Sequence, residues 1–313
     1  MDKLIDITSY PVRAILKELL QDKTTKKNII WATDNYADRG EGFHDTEQIT
    51  VQNLLIHPDV IKTRIEKSGE EQQARTRKKA EVFTPVWLCN EMNNHLDKDW
   101  FGRTDVFNSE KDDHTWEVIE EKIAFPKKKS RSWKHYVDSR RLEITCGEAP
   151  FLVSRYDAAT GRFMEATKAR IGLLDRKIRI VNENTEDYDT WVTWTIRAFE
   201  SVYGYEYQGD NVLLARANLL LTFVEYYEER WQTHPDARLL KIIANRIVWN
   251  IWQMDGLKNT APRGKRGKEF YQDSLFEVRS DVETSEDEID IVPCKIYDWR
   301  SKVTILFEKI KEM

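Results

Sequence analysis

The chain has 313 residues, of which 40% are hydrophobic and 33% charged, with a formal net charge of -5. That length favours one large domain or two modest ones and allows a substantial core. No apolar run approaches the ~20 residues that span a bilayer. Cys89, Cys146 and Cys294 are too few and too scattered for a disulfide framework or a zinc pattern. The charge balance does not suggest a surface coated for nucleic acid.

The first stretch, MDKLIDITSYPVRAILKELL, is acidic and amphipathic and lacks a signal-peptide core, so the expected compartment is the cytoplasm, with no membrane partner. Within it, ITSYPVRAILKELL has helical apolar spacing, with Ser9 as cap and Pro11 early in the helix. NIIWATDNYADRGEGF reads as a short strand or helix end running into a glycine-rich loop. DTEQITVQNLLI offers a second capped helix, and Asp59 to Lys79 a polar surface helix. Residues 1–79 thus form an expected helical N-terminal region, and 80–313 a second region.

FTPVWLCNEMNNHLDKDWFG begins as a loop and continues as an amphipathic helix. Residues 102–135 are polar and read as a surface excursion. RLEITC is a buried strand, and APFLVSRYDA suits a helix start because Pro150 is tolerated in a first turn. TWVTWTIRAFESVYG is a helix ending at Gly204, followed by the short strand YGYEYQ. GDNVLLARANLLLTFVEYYEERW is a long helix with Leu213, Ala217, Leu220, Leu221 and Val224 on one face. ARLLKIIANRIVWNIWQMD is a helix leading into a strand that ends near Asp255. Residues 258–285 are glycine-punctuated and charged, an expected mobile loop. IDIVPCKIYDW is a strand and turn, and SKVTILFEKIKEM a terminal amphipathic helix. Alternating strands and helices predict an α/β fold with a mainly parallel sheet, whose ligands bind beyond the carboxyl ends of the strands.

Charge is uneven. Basic clusters stand at Arg75 to Lys79, Pro126 to Lys134 and Arg263 to Lys268, and an acidic run at Asp281 to Asp290. Such basic clusters near aromatic rings suit a phosphate backbone and suit solvated loops equally well. Most of the eleven tryptophans are expected in the core.

Three stretches could carry chemistry together. In LEITCGEAPFLVSRYD, Glu143 ends a strand and Gly147 lets backbone approach a ligand without a Cβ in the way. In YGYEYQGDN, Glu206 at a strand end can accept from a ribose diol. In NIWQMDGL, Asp255 follows an apolar strand and can accept from an adenine amino group. Each stretch alone also suits plain architecture, a turn or a helix cap. The six histidines lack metal-ligand spacing, and there is no P-loop or GxSxG.

Taken in order, these stretches resemble the S-adenosylmethionine-dependent DNA methyltransferases of the N6-adenine class. The nearest kind is the modification subunit of type I and type IIG restriction systems, including short restriction-modification M-subunit chains. AEVFTP (Ala80 to Pro85) resembles the opening loop of those enzymes, and LEITCGEAPFLVSRYD their glycine turn. VYGYEYQGDNVLLARANLLLT resembles their second strand and helix, and NIWQMDGL their third turn; the likeness runs over about residues 80–257. The resemblance implies a Rossmann-like methyltransferase domain over 80–313 and S-adenosyl-L-methionine as cofactor. It implies DNA as partner, with a restriction or specificity subunit as a further candidate. It also implies roles. Phe83 and Thr84 would meet the methionine part, with Glu143, Thr145 and Gly147 around the same end. Glu206 would hold the ribose hydroxyls, Tyr207 would lie against the adenine ring and Asp255 would bond its amino group.

Two departures stand out. GEAP has Ala149 where the family's second glycine stands, and Pro150 removes a donor. The family's catalytic tetrapeptide (N/D/S)PP(Y/F), which accepts from the target amine and stacks on a flipped base, does not follow Asp255. The nearest substitute is IDIVPCKIYDW, in which Asp298 could accept and Tyr297 or Trp299 stack. Pro293-Cys294 also resembles the Pro-Cys of cytosine-C5 methyltransferases, although acidic neighbours oppose a thiolate. Three functions remain open. One is a DNA methyltransferase of a restriction-modification or phage-defence system, directed at adenine N6. Another is a catalytically inactive cofactor- or DNA-binding subunit of such a complex. The third is a fold that survives without a ligand.

Overall fold

The computed structural model describes residues 3–79, 81, 84–263 and 291–312. Phe83, Ala80, the acidic run and most of the expected mobile loop therefore lie outside the described residues.

The amino-terminal stretch is mostly turns pinned by short helical pieces. A 3₁₀ turn at Arg13–Ile15 leads into α1, which covers only Leu16–Leu19. The spacing predicts one helix from Ser9 onward; instead the chain buries Val12, Ile15, Leu16, Leu19 and Leu20 through a sequence of tight turns. α2 (Val51–Ile56) starts at Thr50, whose hydroxyl accepts the Asn53 N–H at 3.1 Å. The expected helix from Asp59 is confined to α3 (Gly69–Lys79). α4 (Val86–Phe101) stops at Gly102, whose φ of +75° is the left-handed conformation that glycine adopts without a Cβ penalty.

Residues 102–135 hold the antiparallel pair β1 (Asn108–Glu110) and β2 (Trp116–Val118). They also send Phe107 and Ile123 into the main core. After α5 (Trp133–Val137) comes β3 (Arg141–Glu143). The helix expected over APFLVSRYDA does not form. Thr145, Gly147 and Ala149 all have positive φ, which winds the chain into consecutive turns. The helical N–H groups of Leu173 and Leu174 then return to the carbonyls of Phe151 and Leu152 at 2.8 Å each. That contact opens α6 (Leu173–Asn184), and α7 (Tyr188–Phe199) follows with Asp187 as its cap.

Helix α7 ends at Phe199 rather than Gly204, which lies inside β4 (Val202–Glu206). A Cβ at Gly204 would meet Cys146 and Ile251 at 3.2 Å, so the glycine serves close strand packing rather than a helix stop. α8 (Gly209–Trp231), α9 (Ala237–Asn250) and β5 (Ile251–Gln253) follow as their patterns require. β3, β4 and β5 pair in that order, all parallel. The chain is therefore a mixed α/β protein whose central sheet, among the described residues, has three parallel strands.

Strand alternation sorts the two sheet faces. Val202 and Ile251 join the large core with α8 and α9, while Tyr203 and Trp252 face a second, smaller cluster with Cys294, Ile296 and Phe307. That cluster lies under a hairpin of β6 (Lys295–Asp298) and β7 (Val303–Leu306). The expected terminal helix is thus β7 plus a 3₁₀ turn, because Val303, Thr304 and Ile305 pair with β6. Only Trp31, Trp191 and Trp252 among the eleven tryptophans are fully buried; the others are half-buried. One core runs from Leu4 to Ile251, so the first 79 residues pack into the same interior as the sheet.

Candidate functional site

The three candidate stretches meet at one edge of the sheet. Cys146 N–H continues the ladder to the Tyr205 carbonyl at 2.9 Å, and Met254 N–H donates to the Glu206 carbonyl at 3.0 Å. The turn after β3 is held by a carboxylate. Glu206 Oε2 accepts the Gly147 N–H at 3.0 Å, and its Oε1 accepts the N–H groups of Tyr207 at 2.7 Å and Gln208 at 3.1 Å. Burial raises the Glu206 pKa, and these backbone donors offset part of that rise. The Gly147 amide is therefore spent inside the protein. Of the roughly four acceptor positions on a carboxylate, three are taken.

Glu143 is different. Burial pushes its pKa well above the usual carboxylate range; the N–H groups of Phe151 and Leu152 offset part of this, and the charge of Glu206 adds to it. Its Oε1 lies at 3.5 Å from the Phe151 nitrogen, and its Oε2 is buried without a hydrogen-bond partner. Cys89, in the first turn of α4, has its thiol pushed up by burial and then by Glu143 and Asp157, which puts that turn beside Glu143. The Cys89 thiol points at the Thr84 carbonyl, 3.8 Å away, so Thr84 borders the same end. Thr145 is exposed and bonds the Ile144 carbonyl.

Tyr207 is half-buried, and its phenol is pushed up by burial and by the charge of Asp255. Asp255 accepts the N–H groups of Leu257 at 3.0 Å and Lys258 at 3.2 Å through Oδ1, while Oδ2 stands 3.8 Å from the Lys258 ammonium. Asp255 therefore caps its own turn and keeps one oxygen toward solvent and Lys258. Ala149 takes the position that the resemblance assigns to a glycine. Its φ is +65° and it is fully buried, so the turn accommodates the extra methyl.

A cleft of about 800 Å³ opens next to this edge, between α4 and β3. Leu88, Met92, Leu96, Leu142, Ile144 and Phe151 form its apolar wall, and Glu143 lines it; Gly147, Glu206, Tyr207 and Asp255 do not.

A buried ionic network supports the other flank, and sequence reasoning missed it. Arg75 grips both oxygens of Asp210, through Nη1 at 2.9 Å and Nη2 at 3.2 Å, and its Nε reaches Glu81 at 2.7 Å. Lys67 stands 3.6 Å from Asp210, and the Tyr36 hydroxyl donates to it at 2.7 Å. Burial alone would raise the Asp210 pKa, but Arg75 and Lys67 hold it well below the usual range. Glu81 also accepts from Gln208 and Asn211 at 3.2 Å. This network pins α3 and the approach to Thr84 onto the first turn of α8, directly after Glu206. The sequence places Arg75 in a basic cluster suited to a phosphate backbone or a solvated loop; it is instead 2% exposed. The available signal was Asp210 in the first helical turn, a position that suits an acid.

The proposed catalytic substitute lies elsewhere. Asp298 accepts from Arg140 at 2.8 Å, from the Arg300 N–H at 3.0 Å and from Ser301 at 2.8 Å. Arg140 immediately precedes β3, and Trp299 bonds Asn250 immediately before β5 at 2.7 Å. Tyr297 packs its ring on Trp249 and Trp299. Asp298 and Tyr297 therefore sit at the amino end of the sheet, a strand length of about 15 Å from the Glu206 edge. The reason is the β6–β7 hairpin, which sequence reasoning did not foresee. Cys294 is fully buried, burial pushes its thiol far up, and it bonds the Gln253 carbonyl, so it is a core residue.

Among the described residues, no cluster of His, Cys, Asp and Glu could hold a metal ion, and no helix is long and apolar enough to cross a membrane. Comparison with known protein families, curated proteins and solved structures finds no match.

Proposed function

We propose that the chain is an S-adenosylmethionine-dependent, DNA methyltransferase-like protein of a restriction-modification or phage-defence system, directed at adenine N6, and that its parallel sheet is a divergent Rossmann-like one. The observation that carries this reading is the 3.0 Å bond from Gly147 N–H to Glu206, which joins the glycine turn to the acidic strand end. The turn carrying Asp255 adjoins them through Met254. Ligands of parallel sheets bind at such carboxyl-terminal edges.

The residues fit the cofactor in part. Glu143 offers an unpartnered oxygen to the cationic methionine end, next to Thr84 and Thr145. Glu206 keeps one acceptor position for a ribose hydroxyl, and Asp255 keeps Oδ2 for an adenine amino group. Tyr207, half-buried beside Asp255, would bound the adenine. When bound, S-adenosylmethionine supplies an electrophilic methyl group on its sulfonium. The protein's part is to position that group and to exclude water from it.

A second reading, a subunit that binds cofactor or DNA without transferring methyl, is favoured by the placement of Asp298 and Tyr297 at the opposite sheet edge. Calorimetry with S-adenosylmethionine tests the shared premise. Binding to the wild type, weakened at least tenfold in Asp255→Ala, is expected; no heat and no thermal shift at millimolar cofactor would sink the first reading and the cofactor-binding form of the second. Radiolabelled methyl transfer to mixed-sequence DNA then separates enzyme from module.

A further inference from the structure

β3 ends the central sheet, and among the described residues no strand pairs with its outer edge. Arg141 N–H donates inward to the Ser201 carbonyl at 2.9 Å. The alternation of a parallel ladder then turns Arg141 and Glu143 toward β4 and leaves the N–H and C=O of Leu142 facing out. Leu142 is 46% exposed and Ile144 64%. Met92 at 51% and Leu96 at 38% look onto the same cleft from α4. An open, apolar strand edge is a template for pairing with another chain.

The charges beside Leu142 identify the occupant. Arg141 is half-buried and makes no ion pair among the described residues. Glu143, on the other side of Leu142, has the buried Oε2 without a partner. The edge thus reads cation, apolar, carboxyl along three residues; burial disfavours the charged form of that carboxyl in the lone chain, and an arginine brought against its free oxygen favours it again. Consider a second copy run antiparallel about a two-fold axis through Leu142. The two Leu142 residues become a hydrogen-bonded pair. Arg141 of each copy then stands opposite Glu143 of the other in the adjacent non-hydrogen-bonded pair, with Cβ atoms about 5 Å apart. A two-fold interface requires such self-complementarity, and Arg-Leu-Glu provides it.

We propose that the outer edge of β3 is a self-association surface, on which two copies of this chain pair Arg141–Glu143 antiparallel and join their sheets into one of six strands. The axis is normal to the sheet, so it keeps equivalent faces together and brings the two clefts, with Met92 and Leu96, side by side. The inference goes beyond the cofactor reading and does not depend on it. A cationic ligand taking Glu143 Oε2 would compete with Arg141 of the second copy, so the test uses the full chain without cofactor.

Sedimentation equilibrium at about 100 µM is expected to give twice the 37.1 kDa chain mass. Leu142→Lys, an exposed substitution that leaves the fold intact by circular dichroism, should raise the dimer dissociation constant at least tenfold. Arg141→Glu should do the same, and the swapped pair Arg141→Glu with Glu143→Arg should restore association. A wild type that stays monomeric, a dimer indifferent to Leu142→Lys, or a swapped pair no better than Arg141→Glu in a folded chain would each overturn the proposal.

Discussion

Replacing Asp210 by Asn keeps the shape of the side chain and removes the charge at the centre of the network over α8. The Arg75 and Lys67 side chains are 2% and 4% exposed, so neither cation can turn to water. Breaking a buried pair from one side costs about 3–5 kcal/mol, because the remaining charge is left uncompensated. Arg75 keeps Glu81 at 2.7 Å, which argues for the lower part of that range. Lys67 has no other hydrogen-bond partner, which argues against a smaller figure. A loss of about 3 kcal/mol is expected. With an unfolding entropy of about 2 cal/mol/K per residue over the chain, that lowers Tm by about 5 °C. The pH dependence has a definite sign. Asp210 has a folded pKa below its unfolded one, so its contribution is complete above about pH 4 and is lost as pH falls through the folded value. The penalty should thus be fully present at about pH 5; toward pH 8 the ionisation of Glu148, which interacts with Lys67, offsets part of it. Adding Lys67→Met should recover part of it, since the stranded cation is gone, and a double-mutant cycle would read that coupling. Calorimetric melts and urea titrations check these points. An Asp210→Asn protein melting within about 1 °C of the wild type, or one whose deficit disappears by pH 5, would refute the view that these charges hold α3 onto α8.

Glu148 gives the opposite pH sign: burial pushes its pKa from 4.5 up to about 7, against hydrogen bonds from Tyr156 and Arg64, so the folded state holds its proton more tightly than the unfolded chain. Its contribution to stability falls by about 3 kcal/mol as pH rises from 4.5 to about 7, and urea titrations of Glu148→Gln should lack that part of the slope; an unchanged slope would refute it. Gly209→Ala should destabilise by at least about 1–3 kcal/mol, because a Cβ there would lie 2.0 Å from the Ile30 carbonyl oxygen; an unshifted melting curve would show that the α8 start can move away from residue 30.

Local pattern settled much of the architecture before any contact was known. The apolar stripe of α8 and the run from α9 into β5 are properties of a few turns of chain, and they appear where periodicity puts them. A strand also begins at Arg141, but it is shorter than RLEITC and is an exposed sheet edge rather than a buried strand, because nothing among the described residues pairs with its outer side. The convergence of Glu143, Gly147 and Glu206 followed from their places at strand ends, since parallel strands present those ends at one edge. Long-range pairing and burial decided the rest. Val303 to Leu306 carry both helical spacing and β-branched residues, and only the presence of β6 alongside makes them a strand. Residues 150–156 have helix-compatible composition, yet three left-handed residues before them and the docking of α6 on Phe151 and Leu152 forbid a helix. The same separation holds for charge. Arg75 and Asp298 look alike as exposed ions in a linear sequence, but the fold sends the first to an acidic partner in the interior and the second to Arg140 at the far end of the sheet. No neighbour in sequence carries that information, because the energy of a buried ion depends on what stands across from it in space.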